Sequence, residues 1–148
     1  MAHLVKKYIF GVFVSMLIVG CGSTPPVLST NYKKILKLNK EAERSFKKGE
    51  YKNAYNLYKE SLRLGHSIEN VDSISISLIN LAIVCRKLGD KDNAYMYVDE
   101  ILNNSDNINT TSQFPRAAFV KAMLYTDDGE YDTALKWTDK ALYFNSDE

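Results

Sequence analysis

Apolar and small residues recur at helical spacing along most of the chain. Ala54, Tyr58, Ser61 and Leu62 fall at i, i+4, i+7 and i+8, which places them in one stripe along an α-helix. The same stripe returns twice, each time 40 residues later, as Ala94, Val98, Ile101 and Leu102, then Ala134, Thr138, Ala141 and Leu142. The pattern therefore predicts three copies of one helix.

A glycine and an acidic residue precede each stripe and predict a tight turn from an earlier helix. Glycine takes the left-handed conformation that ends a helix, and an acidic side chain complements the positive end of the next helix. The pairs are Gly49-Glu50, Gly89-Asp90 and Gly129-Glu130. Each copy is thus predicted to be a helix–turn–helix unit. Because a lone helical hairpin cannot bury both of its faces, the three units must stack.

Residues 72–81, DSISISLINL, alternate polar and apolar positions as a β-strand does. Over a longer window Val71, Ile74, Leu78, Leu81 and Cys85 lie on one side of a helix. A single strand among helices would also leave its edges unpaired. We therefore predict a helix for this segment.

The first 21 residues follow a different pattern. Lys6 and Lys7 precede a run of 13 residues without a charge, and Cys21 follows that run. A bilayer span needs about 20 predominantly apolar residues, so the run is typical of a secretory signal rather than of a spanning helix. The end of the run, Ile18-Val19-Gly20-Cys21, resembles the lipobox of bacterial lipoproteins.

The lipobox resemblance implies a lipid-anchored protein. Residues 1–20 are then a cleaved signal peptide, Cys21 is diacylated, and residues 21–31 form a tether to the membrane. Gly22, rather than aspartate, follows the cysteine, which by similarity to sorting in Gram-negative bacteria implies the outer membrane, facing the periplasm. The alternatives are an ordinary signal peptide with a coincidental cysteine and an uncleaved anchor.

The net charge and the cysteine content of the chain change little in its interpretation as a lipid-anchored protein. Removal of residues 1–20 takes two lysines and no acids, so 17 basic residues face 18 acidic ones and the side-chain charge is −1. A near-neutral chain has no basic field for nucleic acid, and we expect none as a partner. With Cys21 lipidated, Cys85 is the single thiol, so no internal disulfide is expected.

The repeated unit resembles the tetratricopeptide repeat (TPR). The family's run of glycine, aromatic, alanine, aromatic, small residue and leucine is matched by Gly49, Tyr51, Ala54, Tyr58, Ser61 and Leu62. The resemblance covers about residues 32–145 and implies a helical domain over residues 32–148, with copies at about 35–68, 75–108 and 115–148. It implies an all-α fold, a right-handed solenoid of three TPR-like helix-turn-helix repeats. The period of 40 residues exceeds the family's period of about 34, and Lys91 replaces the aromatic residue of the second copy.

In stacked TPRs the first helix of each pair lines a concave groove. The resemblance therefore implies a groove that binds a peptide or protein partner through apolar centres and basic edges. Its candidate residues are Asn39, Phe46, Ile76, Ile79, Ile83, Arg86, Arg116, Phe119 and Met123. For Ile76, Ile79 and Ile83, the alternative to a role in the groove is that they belong to the hydrophobic core.

The last predicted helix carries a second candidate surface. Solenoids normally end in a polar capping helix, whereas Trp137, Tyr143 and Phe144 are aromatic. Exposed aromatic residues at this end would support self-association into a homo-oligomer. The alternative is that Tyr143 and Phe144 fold over the third copy and Trp137 is partly exposed by itself.

Catalytic chemistry has little support in the sequence. His66 is the one histidine after residue 20, and no glycine-rich phosphate loop or HExxH motif is present. We expect no enzyme, no cofactor and no metal site. The sequence predicts a membrane-anchored scaffold or adaptor of the bacterial envelope that binds a protein or peptide. The alternatives are a self-associating structural component and a partner subunit of an outer-membrane or pilus assembly or transport system.

Overall fold

A computed structural model describes residues 30–103 and 112–145. These residues form six α-helices and no β-strand. The helices are α1 (Thr30–Lys47), α2 (Tyr51–Ser67), α3 (Val71–Leu88), α4 (Lys91–Asn103), α5 (Phe114–Asp127) and α6 (Tyr131–Asn145). The predicted all-α solenoid of three helix pairs is confirmed. Helix α1 begins two residues before the domain boundary predicted at residue 32, while Cys21 and the predicted signal peptide lie outside the described residues.

The three predicted turns share one geometry. Gly49, Gly89 and Gly129 each have a φ of 78°, the left-handed conformation that glycine adopts without a steric penalty. At each turn the acidic residue after the glycine donates its backbone N–H to a carbonyl near the end of the preceding helix, as Asp90 does to Cys85 at 2.9 Å. One dipeptide therefore closes the first helix of a pair and directs the chain into the second.

Helix α3 is the centre of the fold. It packs against α2 and α4 and also touches α1 and α5. Its serines Ser73, Ser75 and Ser77 are buried, and Ser77 donates a hydrogen bond to Ser61 of α2 at 3.0 Å. The strand-like alternation of residues 72–81 is thus a helix, as predicted, and it is a helix that neighbours cover on more than one side.

Small residues bring consecutive helices close together. A Cβ added at Gly65 of α2 would lie 3.2 Å from Cγ1 of Ile74 in α3, so a larger residue there would require Ile74 to shift. Ala42, Ala54, Ala82 and Ala94 are completely buried at the pair interfaces that the sequence repeat predicts.

None of the helices in the described ranges is long and apolar enough to cross a bilayer.

Substitution of Ala94 by leucine tests the close approach of paired helices. Ala94 is completely buried, and a larger side chain there must displace the facing helix. We expect Ala94→Leu to lower the free energy of unfolding by about 1–3 kcal/mol, measured by urea denaturation. Met96→Leu, on the exposed face of the same helix, is the matched control. An unchanged unfolding midpoint for Ala94→Leu would contradict the interpretation.

Candidate functional site

An apolar cavity of about 410 Å³ opens beside the last helix pair. Its wall comes from three helices: α3, α5 and α6. The lining residues are Ile79, Ile83, Pro115, Arg116, Phe119, Val120, Met123, Thr138, Ala141 and Leu142. We call this cavity the C-terminal seat. Five of the nine predicted groove residues, namely Ile79, Ile83, Arg116, Phe119 and Met123, line it.

These five residues contribute in different ways. Ile79 is completely buried and belongs to the core, as one of the two alternatives for it predicted, and it also lines the seat. Phe119 is 52% exposed and is a large apolar side chain that α5 presents to solvent. Arg116, one turn before Phe119 and exposed, places a positive charge at the rim.

The other four predicted groove residues do not line the seat, although one of them, Arg86, contacts the lining residue Met123, with Nη1 3.8 Å from Sδ. Phe46 packs against Tyr51 of its own repeat, with ring centroids 5.3 Å apart. Ile76 is half-buried on α3. Asn39 is half-buried on α1, and its buried Oδ1 has no hydrogen-bond partner among the described residues. The structure therefore does not bring Phe46, Ile76 or Asn39 into the lining of the seat.

Arg86, the remaining predicted groove residue, joins two repeats. Its guanidinium group donates to both carboxylate oxygens of Asp127, with Nη2 2.9 Å from Oδ1. This pairing holds the pKa of Asp127 below its usual range and raises the pKa of Arg86. A bidentate ion pair of this kind positions the third repeat and leaves Arg86 less available to a ligand.

The neighbouring carboxylate forms a second link between the same repeats. Asp128 accepts hydrogen bonds from Lys91 and from the Tyr95 hydroxyl, the latter at 2.8 Å. The bond from Lys91 first, and that from Tyr95 next, lower the pKa of Asp128. Asp127 and Asp128, the two residues before Gly129, therefore anchor the third repeat to the second.

The sequence repeat explains why the seat exists. Thr138, Ala141 and Leu142 on α6 lie 40 residues after Val98, Ile101 and Leu102 on α4. Leu102 is 9% exposed on α4, which packs against both α3 and α5, whereas Leu142 is 64% exposed on α6, which among the described helices packs against α5 alone. The seat on α6 therefore corresponds to the position on α4 that α5, the first helix of the third repeat, occupies. Leu142 was predicted as part of a core stripe, and nothing in the described residues covers it.

The aromatic residues predicted for self-association occupy three different environments. Trp137 is half-buried, with the Lys121 and Lys140 ammonium groups 4.5 and 4.1 Å from its ring. Phe144 packs against Phe114 of α5, with centroids 4.4 Å apart, and so partly folds over the third copy. Tyr143 is 65% exposed and contacts the ring of Phe144. The uncovered aliphatic residues of this end are instead Leu135 and Leu142.

The apolar lining of the seat suits recognition of apolar surface. Within residues 30–103 and 112–145, no three His, Cys, Asp or Glu side chains lie together as a metal ion would require. Burial raises the pKa of the Cys85 thiol to about 11, so this buried cysteine is a small apolar residue at neutral pH. An open apolar cavity with a charged rim resembles the centre of a protein–protein interface.

The Arg86–Asp127 pair predicts a pH dependence of stability. The pKa of Asp127 is lower in the folded chain than in the unfolded one, so its contribution is present above the unfolded pKa of about 4 and is lost as pH falls. Urea denaturation at about pH 7 and pH 3 should therefore show a smaller loss of stability on acidification for Asp127→Asn than for the original chain. Asp132→Asn removes an exposed carboxylate of the same repeat and is the matched control. An equal effect of both substitutions would refute the assignment.

Comparison with known proteins supports the fold. The chain is similar to the crystal structure of the TPR domain of Arabidopsis FLU, with a TM-score of 0.65 over 80% of this chain and 99% of that domain. The sequence identity is 19%, so the likeness concerns the fold alone. No protein-family model and no curated protein sequence matches the chain. The described residues therefore form a TPR-like helical repeat.

Proposed function

We propose that this protein is a membrane-anchored interaction scaffold of the bacterial envelope, and that its partner protein binds at the C-terminal seat. The observation that carries the proposal is an apolar cavity of about 410 Å³ bordered by the exposed side chains Phe119 and Leu142. Exposed apolar residues that cluster around a cavity mark interaction sites more often than do residues scattered singly. The TPR-like fold supports the same function, since stacked helix pairs create extended concave binding surfaces.

The rim of the seat favours a protein partner over a small apolar ligand. Phe119 and Leu142 are 52% and 64% exposed, so a small molecule inside the cavity would leave much of both side chains in water. A second protein surface would cover them together with the lining. Aromatic and arginine side chains such as Phe119 and Arg116 are also typical of interface centres.

The membrane anchor is the second part of the proposal. The lipobox-like residues before Cys21, the preceding charge-free run and the two lysines support lipidation of Cys21. Two or more acyl chains hold a domain stably at a membrane, whereas one chain gives marginal binding. The tether to α1 keeps the seat near the membrane surface, and Gly22 favours the outer membrane, facing the periplasm.

Site-specific cross-linking tests the seat. A photoreactive amino acid at position 119 should cross-link one partner protein in cells, whereas the same group at Met96, which is 50% exposed on α4, should not. Phe119→Asp should abolish co-purification of that partner and leave the melting temperature nearly unchanged, because Phe119 is half exposed. Cross-linking of the same proteins at both positions, or of none at position 119, would refute the proposed function.

Cys21→Ser tests the anchor. We expect the original chain to incorporate labelled palmitate and to fractionate with membranes, and the Cys21→Ser chain to do neither, because serine at this position offers no thiol for acylation. Cys85→Ser is the matched control, since Cys85 is buried in α3. Equal membrane association of the Cys21→Ser chain would contradict lipid anchoring.

A further inference from the structure

We propose that the partner element in the C-terminal seat is an amphipathic α-helix with a basic flank, bound on α6 as α5 is bound on α4. This inference rests on the proposed function and adds the chemistry of the partner. It follows from the internal repeat, because the chain already contains two examples of the missing contact. In one of them α3 packs over α2, and in the other α5 packs over α4.

The α4–α5 contact shows which helix surface fits. On α5, Ala117 and Leu124 lie one turn to either side of Lys121, which forms an ion pair with Asp99 of α4, so these residues share the face of α5 that is turned toward α4. Ala117 is completely buried and Leu124 is 2% exposed, so this face is small and aliphatic around the lysine. The stripe on α4 includes Val98 and Leu102, which are 0% and 9% exposed. The equivalent stripe on α6 is Thr138 and Leu142, so a helix with small and aliphatic residues on one face fits there as well.

The same contact shows which charge fits. Lys121 of α5, with a side chain only 12% exposed, forms an ion pair with Asp99 of α4. The residue 40 positions after Asp99 is Asp139 on α6. Asp139 is exposed, and no lysine or arginine in the described ranges forms an ion pair with it. A lysine or arginine on the partner helix would take the place that Lys121 has on α4.

A second copy of this chain fits the seat poorly through its first helix. Lys37 and Arg44 of α1 are exposed, while the equivalent positions of α3 and α5 are buried small or aliphatic residues. Docking of α1 on α6 would bury both cations. It would also place Glu41, the equivalent of Lys121, opposite Asp139. Unpaired buried charges and like charges at short distance oppose such head-to-tail stacking.

A helical peptide with the α5 sequence tests the inference directly. The probe is residues 114–127, FPRAAFVKAMLYTD, with a hydrocarbon staple joining positions 119 and 123, because an unstapled helix of this length is marginal in water. Fluorescence anisotropy with the full chain should show saturable binding. Leu142→Asp should weaken binding at least about tenfold, since burial of a leucine is lost. Leu142 is 64% exposed, so circular dichroism should show a folded variant.

A charge swap tests the basic flank. A peptide with glutamate in place of Lys121 should bind the original chain about two- to fivefold more weakly, and Asp139→Lys should restore its affinity. Glu50→Lys, the same charge change at an exposed residue of the first repeat, is the matched control and should restore nothing. Failure of the peptide to bind, insensitivity to Leu142→Asp, or absence of the charge-swap rescue would overturn the inference.

Two further outcomes separate this inference from the proposed function. If the full chain sediments as a dimer that Leu142→Asp dissociates, a second copy occupies the seat and the basic helix does not. If the partner cross-links at position 119 but the stapled peptide does not compete with it, the helix inference fails and the proposed function stands. Absence of any cross-link at position 119 refutes the proposed function, whether or not the peptide binds.

Discussion

The fold depends on the packing of each first helix against the second helix of the preceding repeat. A helix pair buries only one side of each of its helices, so the remaining apolar stripe must be covered by the next pair. Gly65 and the Ser77–Ser61 hydrogen bond make this contact close between the first two repeats. Between the last two repeats, the links of Asp127 and Asp128 to the second repeat supplement apolar packing. The two junctions therefore differ in their chemistry.

This requirement gives the solenoid two unlike ends. At the first repeat, Lys37 and Arg44 occupy positions whose equivalents in α3 and α5 are buried. Helix α1 therefore exposes charged side chains to water at these positions. At the last repeat, Leu135 and Leu142 keep the apolar character of an internal stripe although they are 61% and 64% exposed. A polar end caps a solenoid, and an apolar end continues the packing pattern of its interior. The molecule therefore has one direction in which a further helix adds favourably.

The sequence predicts the turns and the phase of the helices well, because both arise from local physics. Gly89 adopts the positive φ that its place in the repeat requires, and segment 72–81 is helical despite its alternating pattern. The sequence does not predict which neighbour covers a given stripe. Leu142 therefore looks like a core residue, and Arg86 looks available to a ligand although it pairs with Asp127, 41 positions later in the chain. Such contacts depend on how repeats are placed in space, which helical periodicity does not report.

The same distinction indicates where binding specificity would arise in the proposed complex. Apolar area at the C-terminal seat would provide affinity for many helices, since burial of hydrocarbon has no direction. Asp139 would provide selectivity, because a helix without a cation on the correct flank would leave this carboxylate next to apolar surface or next to another acid. The Asp99–Lys121 pair within the chain shows the geometry that satisfies such a carboxylate. A repeat protein can thus select an external helix by the rules that already align its own helices, and one substitution on the flank of α6 would change the partner it prefers without disturbing the fold.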